Sequence, residues 1–174
     1  MREETDFVEF AQGVRDRLRR TAYLLCGDWE QAADHTQEAL IRVYVAWPRI
    51  QRAGHEYGYA RKAVVSAFLD HARRRSSREL PAAIDQERAG GTDVAEGVTA
   101  RAVLMSALAT LPPRQRACVV LRYFDDLSVG ATATLLGCTE GTVKSQTAKA
   151  LTSLRQHFQG SSFGELITEG ANTW

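Results

Sequence analysis

Lys144, Ser145, Lys149 and Arg155 fall within the stretch LGCTEGTVKSQTAKALTSLR, residues 136–155. Cations and hydroxyls at such intervals suit the holding of phosphates and base edges, a chemistry of recognition rather than of bond-making. Projected at about 100° per residue, the segment puts Val143, Thr147, Ala150, Leu151, Leu154 and Phe158 on one side of a helix. Gly141, Lys144, Ser145, Ala148, Thr152 and Arg155 take the other side, so the first face is predicted to be buried and the second displayed. Thr139 stands at the N-cap position after Gly137, and upstream, in DDLSVGATATLLG, Ser128 can cap a helix of about two turns that closes at Gly137. Two helices on a tight glycine-bearing turn make a helix-turn-helix, whose second helix suits a DNA major groove. Gly141 would bare backbone amides there. A solvated amphipathic hairpin has the same periodicity, which does not choose between the two.

Two further clusters could recognise partners. Arg61, Lys62, Arg73, Arg74 and Arg75 lie close together with only Asp70 among them, which suits phosphates or a solvated helix end equally. Asp34, Gln37, Glu38 and Arg42 follow at i, i+3, i+4 and i+8, one face of a helix able to meet basic residues on another protein. Bond-making chemistry finds no support. There is no GxSxG elbow, P-loop or HExxH, and Asp125-Asp126 sits in a turn before a cap. Cys26, Cys118 and Cys138 are scattered and odd in number, and His35, His55, His71 and His157 form no ligand spacing with them. No catalysis, metal or cofactor is therefore expected.

The elements that must carry these residues are helical. Phe7, Phe10, Val14, Leu18, Ala22 and Leu25 step by threes and fours up to Gly27. Asp28 can cap a helix from Trp29 to about Trp47, with Ala33, Thr36, Leu40, Val43 and Trp47 as its stripe and Pro48 as its stop. A third helix is predicted from about Tyr57 to Arg75. Residues 76–100, SSRELPAAIDQERAGGTDVAEGVTA, have a proline, glycines and no sustained stripe, the character of a linker. Helical pattern resumes at Ala102, breaks at LPP 111–113, and restarts in RQRACVVLRYF. The expectation is all-α: a first module at 1–75, a linker at 76–100, a second module at 101–158 and a tail at 159–174. The net charge of +1 hides segregation, because the linker holds 5 acids against 2 bases while both flanks are mildly basic. No apolar run reaches membrane-spanning length, and MREETDFVEF is acidic where a secretory signal would be basic, so the expected location is the cytoplasm without membrane insertion.

LATLPPRQRACVVLRYFDDLSVGATATLLGCTEGTVKSQTAKALTSLR closely resembles the minus-thirty-five-reading domain of extracytoplasmic-function (ECF) sigma factors of bacterial RNA polymerase. DHTQEALIRVYVAW resembles that family's polymerase-docking helix, and YARKAVVSAFLDHARRR its promoter-melting and minus-ten-reading helix. The resemblance implies a factor that binds core RNA polymerase and directs promoter-specific initiation. Asp34, Gln37, Glu38 and Arg42 would dock on the polymerase clamp coiled coil, with Leu40, Val43 and Trp47 left to the core. Tyr59, Arg61, Lys62, Ser66, Arg73 and Arg74 would hold the melted nontemplate strand, with Tyr57 and Tyr59 as stacking groups, although Tyr59 fits a core equally. Ser66 stands where the family commonly has asparagine, which shortens the reach and removes an acceptor–donor pair. Thr142, Lys144, Ser145, Gln146, Lys149 and Arg155 would read duplex DNA, Gln146 from the rim. Threading of the acidic linker toward the RNA exit path is implied as well, and because many relatives are silenced by an anti-sigma protein, such a protein is a candidate partner. The alternative is a stand-alone helix-turn-helix regulator with a sensing or dimerising N-terminal domain.

Overall fold

The computed structural model describes residues 2–50, 54–78 and 96–158. Among them the protein is all-α, with no strand, and it divides into two compact units, residues 1–84 and 85–174.

The first unit consists of α1 (Arg2–Cys26), α2 (Trp29–Ile50) and α3 (Glu56–Arg78). Gly27 ends α1 because it adopts φ 78°, a left-handed turn, and its N–H bonds the Tyr23 carbonyl at 2.7 Å. Asp28 caps α2 as predicted, its carboxylate accepting from the Glu30 and Gln31 amides at 2.8 and 2.9 Å. Leu18 and Ala22 of α1, Ala39, Val43 and Trp47 of α2, and Ala60 and Val64 of α3 form the core. The alanines let the helix axes approach, and the aromatics fill the end of the bundle. Phe7 and Phe10 lie 5.3 and 5.0 Å from the Trp47 ring.

Pro48 does not stop α2, which runs on to Ile50. Proline removes the hydrogen bond to the carbonyl of residue 44, but Tyr44 is exposed, so water can satisfy that carbonyl, while Ile50 beyond is buried and anchors the last turn. Of the expected stripe, Thr36, Val43 and Trp47 are buried, but Ala33 and Leu40 are only half-buried, and Ala32 and Ala39 are buried beside them.

The second unit consists of α4 (Glu96–Thr110), α5 (Pro113–Val119), a π-turn (Val120–Phe124), α6 (Val129–Leu136) and α7 (Glu140–Phe158). The LPPRQR stretch has a local logic. Pro113 begins α5, where a missing N–H costs nothing, and the Arg116 guanidinium donates to the Ala109 and Leu111 carbonyls at 2.8 and 3.1 Å, satisfying the end of α4. After α5 the helix widens, with the Asp125 N–H reaching the Val120 carbonyl at 3.0 Å and the Leu127 N–H reaching that of Leu121 at 2.9 Å. Asp126 takes φ 54°, and Arg122 donates to the Leu127 carbonyl, so the chain reverses compactly into α6. Leu108, Leu111, Leu121, Val143, Ala150 and Leu154 are buried in this unit.

Helical structure extends beyond both expected module edges: α3 continues to Arg78, and α4 starts at Glu96. The linker expected at 76–100 therefore gives up both its ends to helix. The rest of it, 79–95, and the tail at 159–174 lie outside the described residues.

Candidate nucleic-acid interface

The helix-turn-helix is α6 and α7. Ser128 Oγ accepts from the Ala131 N–H at 3.0 Å and starts α6. Gly137, at φ 62°, ends it, and the Cys138 N–H returns to the Ala133 carbonyl at 3.0 Å. Thr139 Oγ1 then accepts from the Thr142 N–H at 3.1 Å and starts α7. The two faces of α7 separate as predicted. Val143, Ala150, Leu154 and Phe158 are buried and Thr147 and Leu151 half-buried, while Gly141, Lys144, Ser145, Ala148, Lys149, Thr152 and Arg155 are exposed. Gln146 is half-buried at the rim. The Thr142 hydroxyl lies 2.9 Å from that of Thr139, so it serves the cap as well as the surface. Gly130 keeps room for a neighbour: a Cβ there would sit 3.1 Å from the Glu140 carboxylate of α7.

On α3 the six expected strand-binding residues do not share one face. Tyr59, Lys62, Ser66 and Arg73 follow at i, i+3, i+7 and i+14, opposite the buried stripe of Ala60, Ala63, Val64, Ala67 and Phe68. Arg61 points to the other flank, its guanidinium 5.1 Å from the centre of the Tyr57 ring, over which Arg17 of α1 also lies at 4.5 Å. Tyr57 is thereby covered by two cations within its own unit. Arg74 is exposed but turned about 100° from Arg73. Tyr59 is half-buried and closes one end of a 510 Å³ groove lined by Ile41, Val45, Ala46 and Pro48, with Arg42 and Arg49 at its sides.

The α2 face keeps its expected register. Asp34 and Gln37 are exposed, and the half-exposed Glu38 and Arg42 pair at 2.5 Å. A pair so exposed orients its partners more than it stabilises them. Two features escaped the reading of the sequence. Asp70 of α3 lies 3.2 Å from Arg73 and 4.0 Å from Arg42, joining the α2 face to the basic face of α3. Ile41, Tyr44 and Val45 extend the α2 face as exposed apolar surface, at 58%, 50% and 78%. A helical projection could have found these three, because they fall off the core stripe; nothing in the sequence links residue 42 to residue 70.

His35, beneath the α2 face, is 6% exposed, edge-on to His71 at 5.5 Å and to Phe68 at 6.4 Å, and its Nε2 has no partner. Burial first, then His71, hold its pKa below 6.5, against the opposing pull of Glu38 and Asp34. Below about pH 6.5 the unfolded chain takes up a proton that folded His35 refuses, so stability of the first unit should fall with falling pH, by at most about 1.4 kcal/mol per pH unit. Urea unfolding between about pH 5.5 and 7.5, followed by the fluorescence of Trp29 and Trp47, checks this. His35→Gln should flatten the dependence; an unchanged slope would show that His35 is not its source.

Two helical units, the second a capped helix-turn-helix with a cationic outer face, have the architecture of a DNA-binding protein. Family comparison agrees: residues 10–78 match sigma-70 region 2 and residues 101–154 match sigma-70 region 4. The chain is 35% identical over 156 residues to the RNA polymerase sigma-E factor of Streptomyces coelicolor, covering 90% of this chain and 88% of that one. It is 32% identical over 149 residues to the ECF RNA polymerase sigma factor SigL of Mycobacterium tuberculosis, covering 82% of this chain and 82% of that one. Its fold is similar to that of the sigma factor RpoE of Bartonella quintana, solved with the anti-sigma factor NepR, at a TM-score of 0.67, 21% identity, and coverage of 90% and 98%. The chain belongs to the ECF sigma factors of RNA polymerase. As a member of that family it directs transcription initiation.

Proposed function

We propose that the first unit carries polymerase docking and minus-ten capture, and that the second reads the minus-thirty-five element, with no reaction catalysed by the chain itself. The observation that carries this division is the separation of faces on α7: a buried apolar stripe backs an outer face whose Lys144, Ser145, Lys149 and Arg155 are all exposed. Lys144 and Arg155 are eleven residues apart, about 16 Å along the axis, which exceeds the roughly 12 Å width of the major groove. With Lys144 and Ser145 in the groove, Arg155 falls at its phosphate wall, and Lys149 lies off to one side, also toward phosphate.

On α3 the strand would follow Tyr59, Lys62, Ser66 and Arg73. The groove beside Tyr59 supports this path, offering Ala46 and Pro48 as an apolar floor for a base and the Arg49 guanidinium for phosphate, while Ile41, Arg42 and Val45 on its other wall belong to the polymerase face. Arg61 contributes by holding Tyr57 and α1 in place rather than by meeting DNA. Asp34, Gln37, Glu38 and Arg42, extended by Ile41, Tyr44 and Val45, form the face for core polymerase, whose docking would cover that apolar surface. An anti-sigma protein is a partner of the same kind, competing for these surfaces. No helix among the described residues is long and apolar enough to cross a membrane, and the proposed place of action is with polymerase in the cytoplasm.

The test is transcription in vitro from a promoter library with core polymerase, with and without the chain. Start sites chosen only when the chain is present are expected, with weak promoter binding by the chain alone. Tight duplex binding without polymerase, and no effect on start-site choice, would instead support a stand-alone regulator.

A further inference from the structure

Two of the three cysteines belong to one apolar cluster of the second unit. Cys118 of α5 is 1% exposed and packs with Ala133 of α6 and Val143 of α7. Cys138, half-exposed, packs against the same cluster. Its position follows from the turn: the left-handed Gly137 sends the chain back over α6, and the next residue folds its side chain onto the helix end, as apolar residues do at this place. The two thiols are close enough that charge on one opposes charge on the other. Burial, and then Cys138, push the Cys118 thiol up to about 11, with Arg114 pulling weakly the other way. Cys26 belongs to the first unit, where its thiol donates to the Asp28 carbonyl at 3.1 Å.

We propose that Cys118 and Cys138 form a dithiol that a peroxide oxidises to a disulfide, tying the turn of the helix-turn-helix to α5. Cys138 reacts first because solvent reaches it. Its thiolate attacks one peroxide oxygen, the O–O bond breaks, and the departing hydroxide is protonated to water, leaving a sulfenic acid. Cys118, having given its proton to solvent, attacks that sulfur; the S–S bond forms, the S–O bond breaks, and a second hydroxide leaves as water. In sum, two thiols lose two hydrogens and one peroxide becomes two waters. Because Cys118 is buried and protonated at neutral pH, the second step is slow and the pair rests reduced in a reducing compartment, closing only under sustained peroxide.

The consequence for DNA reading rests on the role proposed above for α7. A disulfide holds its Cα atoms within about 4.4–6.8 Å in a narrow range of torsions, whereas the free thiols of the cluster carry no such constraint. Thr139, which caps α7, directly follows Cys138, and Lys144 and Ser145 lie within two turns of it, so a shift of the turn displaces the reading end of the helix.

The experiment uses the reduced full chain exposed to hydrogen peroxide, then alkylation of remaining thiols, proteolysis and mass spectrometry. A peptide joining Cys118 to Cys138, lighter by two hydrogens, is expected, with Cys26 still open to alkylation. Closure should accelerate about tenfold per pH unit as the pH is raised toward the Cys118 range. Cys118→Ser should leave a sulfenic acid at Cys138 that dimedone traps, whereas Cys138→Ser should yield no linkage. With core polymerase, initiation at minus-thirty-five-dependent promoters should fall severalfold on oxidation and return with dithiothreitol, and Cys118→Ser should resist the loss. Oxidation of Cys138 without linkage to Cys118, or linkage that leaves initiation unchanged, would overturn the proposal. Linkage is read by mass alone, so failure of the reduced chain to direct initiation would count against the role of α7 and not against the dithiol.

Discussion

Trp47→Ala should destabilise the first unit by about 3–5 kcal/mol, the usual cost of emptying a buried indole site. Trp47 is 4% exposed and is held by Phe7 and Phe10 at 5.3 and 5.0 Å, so truncation removes the contact that closes one end of the bundle. Small domains have roughly 5–15 kcal/mol in total, so a sizeable fraction of this unit would unfold at moderate temperature. The functional effect follows through α2, because Asp34, Gln37, Glu38 and Arg42 are ordered on the same helix that Trp47 anchors. Co-purification with core polymerase should fall together with the urea midpoint. The indole N–H has no partner, so Trp47→Phe keeps an aromatic ring and discards an unsatisfied donor. Its cost should stay below about 1.5 kcal/mol. An unchanged midpoint for Trp47→Ala would show that this end of the bundle does not hold the unit together.

Lys144→Ala combined with Arg155→Ala should lower initiation at promoters that depend on the minus-thirty-five element roughly tenfold or more, since a base-edge contact contributes about 1–3 kcal/mol and a phosphate contact adds to it. Each lost phosphate contact should make the salt dependence of promoter binding shallower by about one in the logarithmic slope. Folding should change by less than about 0.5 kcal/mol, because both side chains are exposed and neither belongs to the buried stripe. Promoters lacking the element should be spared. Equal loss on both promoter classes would remove these residues from minus-thirty-five reading.

What could be seen in advance was whatever a helix writes along its own length. Asp28, Ser128 and Thr139 were readable as caps because each acts on amides two or three residues on. The two faces of α7 were readable because burial follows the angular repeat of the residues. Both signals need only neighbours in sequence. Pro48 misled because its penalty falls on one carbonyl, and whether water reaches that carbonyl depends on how α2 packs. The widening after Val119 was hidden for a related reason, since an extra residue in a helical turn leaves composition and spacing almost unchanged.

By itself, then, the sequence determined the helical class, the order of the two modules and the outward face of α7, all set by local periodicity and capping. Tertiary structure alone decided that Arg61 turns onto Tyr57 beside Arg17, that Asp70 bridges Arg42 and Arg73, and that Cys118 and Cys138 share one cluster. The physical reason is that such pairings are fixed by the rotation and approach of packed helices, which follow from the fit of whole buried surfaces and not from the spacing of residues along one of them.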